Sequence, residues 1–226
     1  MKNLIALLPM KGHSERISNK NLKSFCSIPL YHIIVNSLLS SNYINKVVIN
    51  TDSVDIKQDV SNNFVRVQLI DRPAEIQGDY VSMNKIIEHD LNILEGEHFI
   101  QTHSTNPLLK TETIDRAIEE YFYGVLQYDS IFSVTKLQTR LYWEDGKPLN
   151  HNPNELLRTQ DLPSVFEENS NFYIFSKNSF REAGNNRIGL KPKMFEVPKM
   201  ESIDIDEPED FLLAESLYRI RLGEDE

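Results

Sequence analysis

Leu4-Ile5-Ala6-Leu7-Leu8-Pro9-Met10-Lys11-Gly12-His13-Ser14-Glu15-Arg16-Ile17-Ser18-Asn19-Lys20-Asn21-Leu22-Lys23 decides the fold, because an apolar run feeds directly into a small, polar, basic loop. A continuous apolar run of this length, closed by Pro9, predicts a strand of a parallel sheet covered on both faces. The loop then lies at the mouth of the first strand of an open α/β sheet, where such sheets bind ligands. Lys11, Arg16, Lys20 and Lys23 stand there among Gly12, Ser14, Asn19 and Asn21, with Glu15 of opposite sign. Two familiar phosphate loops are excluded by spacing, since one needs a second glycine before Lys-Ser/Thr and the other three glycines. Gly12 still lets backbone approach a phosphate, and the lysines offer charge-assisted bonds to its oxygens. The competing reading is a solvated basic surface loop.

Working outward, 226 residues with 40% hydrophobic content are enough for one substantial core. The expectation is a single domain, 1–226, with an excursion at about 137–170. One cysteine, Cys26, excludes an internal disulfide framework, and no Cys/His cluster has zinc spacing. Cys26 is assigned to the core, and a reducing, cytoplasmic setting fits. The first apolar run is too short for a signal peptide core, and no later run reaches membrane-spanning length. A net charge of −10 argues against nucleic-acid and membrane partners. Positive charge gathers at the start of the chain (Lys2, Lys11, Arg16, Lys20, Lys23) and negative charge at its end, so a basic pocket in an acidic protein suggests a small anionic ligand.

Along the chain, strands and helices alternate. Ser27-Ile28-Pro29 opens a helix through about Ser41, with Pro29 in its first turn. Lys46–Asn50 is the next strand, ending at Asp52, which is a helix cap or a ligand at the strand mouth. A short polar helix leads to a strand at Val65–Ile70. Arg72, held extended by Pro73, projects into the same mouth as Lys11 or forms a surface ion pair. A helix over Ser82–Leu94 precedes a strand at Phe99–His103, where His103 is a ligand contact or a hydrogen-bonded structural histidine. Thr111 is read as the cap of an amphipathic helix carrying Ile114, Ala117, Ile118, Tyr121 and Phe122. Further strands fall at Ser130–Thr135, Asn171–Phe175, Met194–Val197 and Ser202–Asp206, and a helix starts near Glu207. This order predicts an α/β fold with a mostly parallel sheet and helices on both faces.

Asp204-Ile205-Asp206 puts two carboxylates on one face of the expected strand. A cation such as Mg²⁺ suits such a pair when phosphate oxygens and waters complete its shell. The alternative is that Asp206 caps the last helix, with Glu209 three residues on.

Taken together, the loop 9–22, Asn50-Thr51-Asp52, Arg72-Pro73-Ala74-Glu75 with Asp79 and Ser82, Asn106-Pro107-Leu108, Leu162-Pro163 and Ser202–Asp206 resemble the acylneuraminate cytidylyltransferases, or CMP-sialic acid synthetases, over nearly the whole chain. The resemblance implies a Rossmann-like, three-layer nucleotidyltransferase fold whose excursion serves dimerisation. It implies that Lys20 and Asn21 hold the triphosphate and nucleotide, that Arg72 and Ser82 lie at the cytidine, and that Asp204 and Asp206 hold Mg²⁺. With the loop included, the nucleotide-binding candidates are Leu8, Lys11, Gly12, Ser14, Arg16, Lys20, Asn21, Arg72, Asp79 and Ser82. The sugar-binding candidates are His103, Asn106, Arg158, Glu168 and Asn169. The implied reaction joins CMP from CTP to a sugar acid, an acylneuraminate or related nonulosonic acid, with Lys11 and Lys20 as the catalytic cations on the departing pyrophosphate. A homodimer is implied as well.

Three departures from that family stand out. Lys11 replaces an arginine, a point charge in place of a bidentate fork. His13-Ser14-Glu15 replaces Gly-Ser-Lys, leaving Arg16 as the substitute cation. Glu167-Glu168-Asn169-Ser170 replaces Arg-Pro-Asn-Gly, so Arg158 becomes the candidate for a substrate carboxylate, and the acidic pair suits hydroxyl or amino donors unless it is simply solvated. This predicts that N-acetylneuraminic acid is not the best substrate. Two other functions fit the same residues: a nucleotidyltransferase for another sugar or base, or a nucleotide-binding module without activity.

Overall fold

Alternate side chains of a strand point to opposite faces, and the first strand divides its apolar residues between two cores accordingly. In the computed structural model, which describes residues 3–223, β1 spans Leu4–Leu7. Leu4, Ala6 and Leu8 enter one core with Tyr31, Val35, Ile56, Val60, Ile114 and Ile118. Ile5 and Leu7 enter the other with Ile87, Leu91, Phe99, Tyr173, Phe175 and Phe180. Burial of such side chains is worth about 1.5–3 kcal/mol each, which is why the central strand tolerates no polar residue. Lys2 and the acidic residues 224–226 of the charge count lie outside the described residues.

The strands after β1 are β2 (Ser24–Phe25), β3 (Ile28–Pro29), β4 (Ile44–Thr51), β5 (Val67–Asp71), β6 (His98–Thr102), β7 (Ser130–Leu137), β8 (Val165–Ser176) and β9 (Pro192–Glu196). The helices are α1 (Leu30–Leu39), α2 (Val54–Asn63), α3 (Met83–Ile93), α4 (Thr111–Gly124), α5 (Lys177–Glu182) and α6 (Pro208–Leu222). Seven strands form one sheet in the order β5-β4-β1-β6-β8-β7-β9, and β8 alone runs against its neighbours. The chain turns from β1 to one side through β4 and β5, then returns to the other side at β6. The crevice beyond the carboxyl ends of β1 and β6 is therefore the topological switch point. No helix among the described residues is long and apolar enough to cross a membrane.

Several local expectations need correction. Ile28 and Pro29 pair with Ser24 and Phe25 in a small hairpin, so α1 begins at Leu30 and Pro29 is its N-cap. Cys26 occupies that hairpin's turn with a φ of 45°, half-buried at the core's edge instead of within it. Lys110, not Thr111, is the N-cap of α4, and the Thr111 hydroxyl donates to the Ser37 carbonyl. Ser202–Asp206 has no regular secondary structure and lies outside the sheet, so it is not a strand. The excursion also closes earlier than expected, because Val165–Ser170 already belongs to β8, paired with β7. Ser170 sits there at a φ of 57°, a conformation that favours glycine and gives a physical reason for the glycine of the resembling motif.

A third apolar cluster ties the ends of the chain together. Ile17 of the loop, Phe25 and Ile33 pack with Ile205, Phe211 and Ala214. The basic loop is thus clamped against the segment that carries the two aspartates.

Candidate active site

A cavity of about 370 Å³ opens at the switch point. Its lining comes from the loop after β1, from Arg72 and 78–86, from His103-Ser104-Thr105 after β6, and from Asp204 and Asp206. Each contributor leaves the carboxyl end of a strand or follows from it.

The loop is shaped by Asp52, which accepts a bond from the Gly12 amide at 2.7 Å. Ser53, not Asp52, caps α2, accepting from the Ile56 amide. A Cβ on Gly12 would lie 2.9 Å from the Ser53 Cβ, so the close approach of loop to turn requires glycine. Asn21 completes the brace: its amide donates to the Lys11 carbonyl at 3.1 Å and accepts from the Ser104 hydroxyl at 2.6 Å.

Three loop cations then face carboxylates. Lys11 meets Asp79 at 2.6 Å, and this holds the Asp79 carboxyl below its usual range. Arg16 meets Asp206 at 2.7 Å and Glu207 at 3.0 Å. Lys20, largely buried, donates to the Ile205 carbonyl at 2.6 Å and stands 3.6 Å from Asp206. Ile205 is fully buried and its amide donates to the Thr105 carbonyl, while Asp204 and Asp206 both line the cavity. The alternation seen in sequence therefore has its effect without a strand. Asp204 Oδ1 is buried with no hydrogen-bond partner among the described residues, and burial raises its pKa. An orphaned, desolvated carboxylate oxygen beside a second carboxylate fits a cation ligand. No cluster of three or more acidic, histidine or cysteine side chains suited to a metal exists among the described residues. A cation there would take two protein carboxylates and need substrate oxygens or water for the rest.

Arg72 is only 7% exposed and lines the same cavity. Its Nε donates to Asn50 Oδ1 at 2.8 Å, and its Nη2 donates to the carbonyls of Asn50 and Met10 at 2.9 and 3.1 Å. It is a mouth residue and not a surface ion pair. His103 also lines the cavity, its Nε2 buried without a partner among the described residues, and burial pushes its pKa down to about 4, which keeps the ring neutral.

Other expected residues are placed elsewhere. Leu8 is in the core, Gly12 shapes the loop from behind, and Ser82 is the N-cap of α3, although no bond from its side chain caps the helix. Asn106 is buried outside the cavity lining, at 3.5 Å from the Ile203 carbonyl. Asn169 donates to the Thr135 hydroxyl, bracing β8. Arg158 lies in the excursion, exposed and paired with Asp161 at 2.7 Å, so this chain does not bring it to the cavity. Glu168 is not simply solvated, because it accepts from the Tyr173 hydroxyl.

Sequence reasoning missed Arg187. Its guanidinium lies 3.8 Å from the centre of the Tyr173 ring and donates to Gln101 Oε1 at 2.6 Å, and its charge is felt by His103. It sits in Asn185-Asn186-Arg187-Ile188-Gly189, a polar loop without a motif. Asp90 was missed too, although a carboxylate between Ile86, Ile87 and Leu91 on an apolar helix face is a detectable signal.

A doubly covered sheet with cations, a carboxylate pair and a buried arginine around its switch point suits an anionic, phosphate-bearing ligand. Residues 5–224 match the cytidylyltransferase family, and the chain belongs to it. Pseudaminic acid cytidylyltransferase of Campylobacter jejuni is 24% identical over 235 residues, spanning 97% of both chains. N-acylneuraminate cytidylyltransferase A of Danio rerio is 28% identical over 222 residues, 95% of this chain and 50% of that one. Among solved structures, CMP:2-keto-3-deoxy-manno-octonic acid synthetase complexed with CTP superposes with a TM-score of 0.70 at 11% identity, covering 97% of this chain and 99% of that one.

Proposed function

We propose that this cytidylyltransferase transfers CMP from CTP to a nonulosonic acid, with the triphosphate on the loop and the sugar acid at the end of the cavity marked by His103. One observation carries the reading: loop cations, Arg72 and the carboxylate pair line one cavity of about 370 Å³ together with a neutral histidine, His103, whose Nε2 has no partner among the described residues. The sugar hydroxyl attacks the α-phosphorus; a C–O–P bond forms, the bond to the β-phosphate oxygen breaks, and the hydroxyl proton passes to solvent. Lys11, Arg16 and Lys20 take up the charge of the departing pyrophosphate, and a fixed cation does so without reorganising. Lys20 suits this best, because its ammonium is already positioned by a carbonyl and by Asp206.

Asp204 and Asp206 are the residues that would hold Mg²⁺, which when bound supplies charge neutralisation at the phosphates. Arg187, half-buried over the Tyr173 ring and bonded to Gln101 on the strand that leads to His103, joins Arg158 as a candidate for the substrate carboxylate, although it is outside the cavity lining. The similarity to a pseudaminic acid enzyme over 97% of both chains, and to N-acylneuraminate enzymes, supports a nonulosonic acid as the acceptor; the acidic pair at Glu167-Glu168 is what favours one other than N-acetylneuraminic acid. Exposed Tyr142, Trp143 and Leu156 on the excursion support assembly as a homodimer, and the single cysteine a reducing, cytoplasmic compartment.

The test is pyrophosphate release from CTP, with and without Mg²⁺, across a panel of sugar acids that includes pseudaminic, N-acetylneuraminic and 3-deoxy-octulosonic acids. Release with a nonulosonic acid and not with other NTPs is expected. If N-acetylneuraminic acid has the highest kcat/KM of the panel, the substrate assignment fails; if no acid supports release, the transferase reading fails.

A further inference from the structure

We infer that Asp90 is a positioning residue for the nucleotide, acting through Asn50 to fix the direction in which Arg72 presents its guanidinium to the cavity. This rests on the nucleotide reading above. The three residues come from α3, β4 and the turn after β5, and they form one buried chain. Asp90, 1% exposed, accepts from Asn50 Nδ2 at 2.5 Å. Asn50, fully buried, accepts from Arg72 Nε at 2.8 Å through Oδ1.

The chemistry of the three groups makes the order directional. A carboxylate accepts and does not donate, a guanidinium donates and does not accept, and an amide does one at each end. Asp90 and Arg72 thus admit one orientation of the Asn50 amide. Without the carboxylate the amide can turn over, setting its NH₂ against the arginine. Among the described residues the bonds to Arg72 use Nε and Nη2 and none uses Nη1, the nitrogen this inference assigns to the ligand.

Packing alone does not call for a carboxylate at this position. Asparagine has the same shape and avoids burying a charge, which is costly unless compensated. Asp90 Oδ2 has no partner among the described residues, and His89 Nδ1 stands 3.3 Å from Oδ1. What a carboxylate adds is a fixed acceptor and a counter-charge for a buried arginine. Burial disfavours the charge on both groups; against it the Arg72 guanidinium is favoured by Asp52 first and by Asp90 second, and Arg72 in turn favours the Asp90 carboxylate.

The experiment compares wild type, Asp90→Asn, the swap Asp90→Asn with Asn50→Asp, and Arg72→Ala, by calorimetric titration of CTP and by steady-state kinetics. Asp90→Asn is expected to raise the CTP Kd and KM about tenfold while kcat changes less than about threefold, the signature of lost uniform binding. In the swap, the carboxylate now at position 50 accepts both from the amide at position 90 and from Arg72, so CTP affinity should return to within about threefold of wild type. Adding Arg72→Ala to Asp90→Asn should cost less than the two single changes together. A folded Asp90→Asn enzyme with wild-type CTP affinity, or effects that simply add, overturns the inference. Should Asp90→Asn not fold, the swap decides alone: near-wild-type affinity supports the relay and its loss rejects it. Failure of wild type to bind CTP would instead reject the nucleotide reading itself.

Discussion

The loop after β1 and the turn after β5 both bring cations to one cavity, but they hold them differently. Lys11 and Arg16 are 43% and 53% exposed and pair with carboxylates. Exposed pairs of this kind contribute about 0–1 kcal/mol, so a polyanionic ligand exchanges one partner for another at little cost. Arg72 is buried and held by an amide and two carbonyls. The groups bonded to it are neutral, with Asp52 and Asp90 acting on its charge from farther away, and its direction is fixed in advance. The loop is therefore suited to capturing and releasing charge, whereas Arg72 is suited to discriminating among ligands.

The largest effect should come at the carboxylate that two of the loop cations, Arg16 and Lys20, share. Asp206→Asn is expected to lower kcat about a hundredfold or more, with unchanged circular dichroism, because a preorganised charge beside the reacting phosphates is lost. Near-wild-type turnover would reduce Asp206 to a partner of Arg16. The next effect separates the regions. Arg72→Lys should weaken CTP binding about tenfold at any salt concentration, since a lysine cannot reproduce the fork and buried interactions are little screened. Lys11→Ala should weaken CTP binding only a few-fold, and that difference should disappear near 1 M salt, where the Debye length is about 3 Å. Equal salt dependence of the two variants would erase the distinction.

The smallest effect concerns the neutral histidine. His103 has its folded pKa depressed to about 4 from an ordinary 6.5, so below pH 6.5 the unfolded chain binds the proton that the folded chain refuses. Its contribution is present above pH 6.5 and is lost as pH falls toward 4. Asp90 and Asp204, raised by burial, act in the opposite sense, so the effect is read as a difference between proteins. Thermal melts from pH 7 to 4 should show wild type losing more Tm than His103→Gln; parallel curves would refute the assignment.

What the sequence disclosed follows the same division. The strand and loop at 4–23 were legible because a continuous apolar run followed by clustered cations has few structural meanings. Asp204 and Asp206 both line the cavity, though not as alternating residues of a strand: Ile205 between them is anchored by Thr105 and the core without a strand partner. The start of β8 reads as loop in sequence because Glu167 and Glu168, which pair with β7, run into Asn169-Ser170 at a break in the register, so the stretch gains no apolar periodicity. Arg187 and Asp90 stayed hidden because their meaning depends on contacts across the sheet, with Gln101 and Tyr173 in one case and Asn50 in the other.

The division of labour in the cavity is tested most directly by titrating CTP into wild type and Lys20→Ala, and measuring the sugar-acid KM of the same two proteins at saturating CTP. CTP affinity should fall by about tenfold or more in the variant, because a largely buried, prepositioned cation is removed from the phosphate loop, while the sugar-acid KM stays within about twofold. Unchanged CTP affinity, or a loss shared equally by the sugar acid, would contradict the placement of the triphosphate on the loop.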